Sequence, residues 1–286
     1  MGKYRIFTDS SCDLTDEYIA KRSIISLPLS VTVGNTVMAD SAQTSKMLYQ
    51  AMRQGVTVRT AGVNPDEFEN AFEFSLKSGY DILYLGLSSA LSSTFSAANI
   101  AKNALVKKYP GCRIAIVDSL CASLGIALLI DLLIDTLGEG ASLEEAISYA
   151  EEMKLRICHL FTVDDLNHLK RGGRISPSSA FFGGMLGIKP LLRMDDEGRL
   201  TATGRVRGRR TAIISLADKL NDQIDDSIDQ QVYISEADCP EDAALLSGII
   251  EEKYGYKTRL ISPIGAAVGA HAGPGTLALF FIGRKR

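Results

Sequence analysis

"DILYLGLSSALSSTFSAANIA", residues 81–101, carries the change of pattern that decides the fold. Residues 81–87 form a short apolar and aromatic run, read as a strand buried on both faces, as strands of a parallel sheet are. A hydroxyl-rich loop follows, and small and apolar residues then continue as a helix. Working outward, strand-like runs recur at "YRIFTD" (4–9), "VTVRT" (56–60) and "RIAIVDS" (113–119). Helix starts lie between them: Asn64 with Pro65 and Glu67 is an N-cap, a first-turn proline and a capping-box acid, and Ser142 with Glu145 repeats the signal. This alternation predicts stacked β-α units around a parallel sheet. Ligands bind such sheets beyond the carboxyl ends of the strands. Here those ends offer Asp9 to Ser11, Thr60, Ser88 to Ser93, and Asp118 with Ser119.

Beyond about residue 160 the pattern shifts to a shorter helix, the Gly-rich segment "KRGGRISPSSAFFGGMLGIKPLL" (170–192) and the charged turn "MDDEGR" (194–199). Strand, helix, strand, loop and strand complete the chain. The expected fold is α/β in two domains: an N-terminal three-layer parallel-sheet domain over 1–158, and a C-terminal two-layer α/β domain with a mixed sheet over 159–286. A ligand tunnel is expected at their interface.

The chain has 286 residues, 46% of them apolar, enough for a packed core, and a formal net charge of −3. It lacks the basic footprint of a dedicated nucleic-acid binder. "LGIALLIDLLIDTL" (124–137) is too short to span a bilayer and contains Asp131 and Asp135. Without a signal-peptide pattern, a cytoplasmic location is expected. Five scattered cysteines lack zinc spacing, and adjacent Cys158 and His159 point to opposite faces of a strand, so no metal site is expected.

Three features could carry chemistry. Ser92 or Ser93 either caps the helix that follows or helps hold an anion at its N-terminus. Arg171 and Arg174 flank two glycines, with further arginines downstream, and read either as an anion or partner site or as solvated charge. His271 lies in "GAHAGPG" (269–275), a loop whose glycines permit close approach of a ligand, although a structural histidine would fit too. Neither a Walker phosphate loop nor a Gly-x-Gly-x-x-Gly fingerprint occurs.

Taken together, "TDSSCDL" (8–14), "GLSSALSSTFSAA" (86–98), "VDSLCASLG" (117–125), "LKRGGRIS" (169–176) with "GIKPLL" (187–192), and "GAHAGPG" resemble the DegV family in order along nearly the whole chain. The resemblance implies a fatty-acid-binding protein, the lipid-carrying subunit of a bacterial fatty acid kinase. It would have no catalytic residue, nucleotide site or cofactor of its own. A long-chain fatty acid of palmitate, stearate or oleate type would lie in an apolar tunnel. Its carboxylate would be held by Thr60, Ser92 and His271, with Ser93, Gly62 and Ser119 in the surrounding head-group region. Arg171, Arg174 and Arg205 would face the ATP-dependent kinase, which would make an acyl phosphate for phospholipid synthesis. Two positions depart from the family pattern. "TAGV" (60–63) replaces Thr-Ser-Gln-Pro, so that Gly62 leaves room for a wider pocket or a water, and Ser93 replaces a glycine. The alternatives are a stand-alone serine-dependent acyl hydrolase using Ser92 and His271, and a lipid sensor or transfer protein without a kinase partner.

Overall fold

The computed structural model describes residues 3–138, 140–175 and 187–286. Much of the Gly-rich segment noted above, residues 176–186, lies outside them. In chain order the first half comprises β1 (Tyr4–Asp9), α1 (Asp16–Lys21), β2 (Ile25–Leu27), β3 (Ser30–Val33), β4 (Thr36–Ala39), α2 (Ala42–Arg53), β5 (Val58–Ala61), α3 (Pro65–Lys77), β6 (Asp81–Gly86), α4 (Thr94–Lys108), β7 (Ile114–Asp118), α5 (Leu124–Leu137) and α6 (Leu143–Met153). The second half comprises β8 (Ile157–Thr162), α7 (Asn167–Arg171), β9 (Ile188–Met194), β10 (Leu200–Arg207), α8 (Arg209–Gln223), β11 (Val232–Glu236), α9 (Pro240–Tyr254), β12 (Thr258–Pro263), α10 (Ala266–Ala272) and β13 (Leu277–Ile282).

A parallel sheet in the order β2-β1-β6-β7 forms the middle layer of the N-terminal unit. Strand alternation sorts the side chains of β6. Ile82 and Tyr84 join Phe7 and the α3 residues Phe68 and Phe72 in one core, while Leu83 and Leu85 face α5 and α6 in another. Both capping boxes form, at Asn64–Glu67 before α3 and at Ser142–Glu145 before α6.

One strand is not where the sequence placed it. "VTVRT" contributes β5, but β5 belongs to a separate antiparallel sheet, β4-β3-β5, and Thr60 lies inside the strand rather than beyond its end. The β3–β4 hairpin supplies the partner, and its two-residue loop has Gly34 at the first position with φ 60°. That geometry belongs to a type II′ turn.

The C-terminal unit is a mixed six-stranded sheet, β10-β9-β8-β13-β11-β12, in which only β11 and β12 run parallel. One face carries Cys158, Leu160, Leu279 and Phe281 into a core with α8 and α9. The opposite face carries Phe161, Ala278 and Phe280 toward α5, so this helix closes both sheets. β8 pairs with β13 from Ile157 onward, directly after the helical turn Lys154–Arg156, so the six-stranded sheet begins there.

The acids inside α5 join the two units. Asp131 is fully buried and accepts hydrogen bonds from the Tyr18 and Tyr233 hydroxyls and from Arg22 Nε at 2.9 Å. Asp135 pairs with Arg22 and with Arg259. Among the described residues, no helix is long and apolar enough to cross a membrane.

Candidate functional site

A cavity of about 580 Å³ opens between the carboxyl ends of β1 and β6, the end of β5, the N-termini of α3 and α4, α10, and the inner face of the six-stranded sheet. Its rim is polar, with Thr60, Ser92, Ser93, Arg174 and His271 around it. Its depth is apolar, walled by Phe161, Met194, Leu200, Ala278 and Phe280, with the His159 ring among them. Apolar walls with a few convergent polar groups are the usual form of a small-ligand site.

His271 does not stand on a loop tip. It occupies the last turn of α10, an alanine-rich helix that stops at Gly273, where φ is 83°. Side chains from the N-terminal unit hold the start of this helix. Asp13 accepts from the Gly265 N–H at 2.9 Å and Asp40 from the Ala266 N–H at 2.7 Å, satisfying amides that a helix N-terminus leaves free. Burial raises both carboxyls above their usual pKa. The "TDSSCDL" motif thus acts on the site through Asp13, by fixing the helix that carries His271.

With α10 held in this way, His271 Nε2 lies 2.7 Å from Thr60 Oγ1. Burial, and then the nearby Arg174 guanidinium, lower the imidazole to about 4, so the ring is neutral at neutral pH. Arg174 donates from Nε to the Leu91 carbonyl at 3.0 Å and from a terminal nitrogen to the Gly172 carbonyl. Its position ties the Arg motif to the loop before α4.

Ser92 also lines the cavity, and its hydroxyl is 2.8 Å from Thr94 Oγ1 while accepting the Thr94 N–H at 3.2 Å. Ser92 and His271 are therefore bonded to threonines rather than to each other, and the nucleophile–base pair that a serine hydrolase needs is not formed. Ser93 is the N-cap of α4 and is exposed on the rim, with no side-chain capping bond.

Gly62 is required by Thr94, the first residue of α4. A Cβ at Gly62 would sit 2.4 Å from Thr94 Oγ1. The expected room for a wider pocket or a water is filled by that hydroxyl. The signal was the Ser-Ser-Thr run itself, because a threonine at the first position of α4 is well placed to meet a neighbouring strand end.

Ser119 and Arg205 are not brought to the cavity. Ser119 is fully buried, donates to the Gly86 carbonyl and accepts the Cys121 N–H, tying the ends of β6 and β7 together. Arg205 is exposed on the edge strand β10 and lines neither this cavity nor the next.

A second cavity, of about 530 Å³, lies across the partition formed by Thr60, Arg174 and His271. Arg59, His168 and Arg171 line its other side. Arg171 is exposed and donates to His168 Nδ1 at 3.0 Å. The histidine is shifted downward by burial and then by this guanidinium.

Residues 3–284 match the model of the DegV family, described as "Uncharacterised protein, DegV family". A DegV domain-containing protein of Clostridium perfringens is 42% identical over 286 residues, covering 99% of this chain and 98% of its own. Among solved structures, a DegV family protein from Thermus thermophilus, described by its fatty acid binding, superimposes with a TM-score of 0.88 at 27% identity, covering 98% of this chain and 99% of its own. A stearic acid-binding protein from Eubacterium ventriosum gives 0.89 at 26% identity, with 98% of each chain covered. Matched along nearly its whole length in both sequence and fold, the chain belongs to the DegV family.

Proposed function

We propose that this protein binds one long-chain fatty acid with its tail in the 580 Å³ cavity and its carboxylate at the Thr60–Ser92–His271 rim, and presents that carboxylate to an ATP-dependent kinase. The observation that carries the reading is the partition. The same Thr60, Arg174 and His271 that bound the apolar cavity also bound a cationic one. A head group at the partition would have a dry tail site behind it and guanidinium groups in front. The fatty acids of the Thermus and Eubacterium proteins support the tail assignment.

The physical chemistry is consistent with a carrier. Each buried methylene contributes about 0.8 kcal/mol, so affinity comes from the tail. The carboxylate needs hydrogen bonds, since burying it without them is prohibitive. Hydroxyls and a neutral imidazole supply those bonds without the grip of a bidentate arginine, which would resist release of the phosphorylated product. In the transfer, a carboxylate oxygen attacks the γ-phosphorus of ATP held by the kinase, and ADP leaves. Arg171 and Arg174 would stabilise charge at the transferring group or dock the kinase.

The test is a hydroxylamine trap for acyl phosphate. With oleate and ATP, the chain alone should give no hydroxamate, and addition of a purified bacterial fatty acid kinase should give it. Hydroxamate from the chain alone, or none with a kinase active on another DegV protein, contradicts the division of labour.

A further inference from the structure

The register of β8 and β13 gives the apolar cavity a direction. Thr276, just before β13, bonds to the carbonyls of Ala272 and Gly273 and so marks the His271 end. Ala278 then pairs with Phe161, and Phe280 with His159, all four lining the cavity. Thr276 to Phe280 is about 13 Å of strand. The next pair on that face, Ile282 with Ile157, is packed into the core around α5, so along β13 the cavity ends at the His159–Phe280 rung, while across the sheet Met194 and Leu200 wall it beside the ring.

The His159 ring is pinned there. Its Nδ1 donates to the Ile157 carbonyl at 3.1 Å, which leaves Nε2 to accept the Ala122 N–H at 3.3 Å. Phe280 packs edge-on at 5.2 Å between centroids. Retreat is blocked on the α5 side, where a Cβ at Gly125 would come 2.1 Å from Nε2. Arg286 also bonds to the Ile157 carbonyl, and to that of Leu120. With both nitrogens tied to backbone, the ring offers no free polar atom to the cavity.

We propose that His159 is the length gauge of the site: the terminal methyl of the bound acyl chain stops against this ring, and Gly125 on α5 sets how far back the ring sits. The inference rests on the fatty-acid reading and adds the residue that decides which acids are held.

The test is a series of dissociation constants for laurate, myristate, palmitate, stearate and arachidate, read by displacement of a fluorescent fatty acid from the purified protein. Affinity should rise roughly fourfold per methylene until the chain meets the ring, and then break. His159→Ala should move that break at least one two-carbon step longer, and Gly125→Ala, which drives the ring forward, should move it shorter. The Gly125 variant decides alone if His159→Ala does not fold. Folded variants whose break stays at the wild-type length overturn the gauge. Failure of the wild type to bind any acid in the series overturns the fatty-acid reading instead.

Discussion

Thr60 Oγ1 and His271 Nε2 lie 2.7 Å apart although 211 positions separate them in the chain. The short strand β5 delivers one and α10 the other, and each comes from a different unit of the fold. The pair therefore joins the packing of the two units to the proposed head-group site, and its imidazole is neutral where that proposal places a carboxylate.

If both groups bond the carboxylate, Thr60→Val and His271→Ala should each weaken fatty-acid binding about 10- to 100-fold, the range for a hydrogen bond to a charged group. Because the two share a hydrogen bond, the double variant should lose less than the product of the single losses. Displacement titrations on the four proteins check this.

The chain has three histidines, and all three are shifted downward. Nitrogen-detected NMR titration should find His271 near 4 and His159 lower, near 3, each held neutral chiefly by burial. A base whose folded pKa is depressed stabilises the fold fully above its unfolded pKa of about 6.5, and that contribution is lost as pH falls through the folded value. Acidification from 7 toward 4 should thus draw stability from these two sites. The raised carboxyls of Asp13 and Asp40 act in the opposite sense, which is why the site-resolved titration is the cleaner check.

Gly62→Ala places a methyl group against Thr94 Oγ1 and should cost about 1–3 kcal/mol of stability, the usual penalty for overpacking. Adding Thr94→Ala removes the obstructing hydroxyl and should restore most of the loss. Urea unfolding of the single and double variants measures both steps.

Asp131→Ala strands the Tyr18 and Tyr233 hydroxyls and leaves Arg22 with Asp135 as its carboxylate partner, and should destabilise the protein by about 2–5 kcal/mol. Tyr18→Phe, which removes one donor, should cost about 1 kcal/mol. Chemical denaturation distinguishes the two.

Much of this was legible in the sequence because the local signals were strong. The 81–87 run is apolar on both faces and became a central parallel strand, and the two capping boxes fixed the starts of α3 and α6. Partner choice was harder to read. "VTVRT" has the same β-branched character whether its neighbour is a parallel strand or a hairpin, and the hairpin that claims it was signalled only by Gly34-Asn35. Serines at strand ends look alike in one dimension, yet Ser92 lines a cavity while Ser119 is used up in tying two strands together. His159 gives no such signal, because a lone histidine in an apolar strand carries no hint in one dimension that it lines a cavity.

The most direct test of the central claim is the mass of the purified protein, measured under native conditions and again after denaturation. The native mass should exceed the denatured mass by that of one long-chain fatty acid per chain, with less adduct in Thr60→Val and His271→Ala. An unadorned native mass that stays unchanged when palmitate, stearate or oleate is added would contradict it.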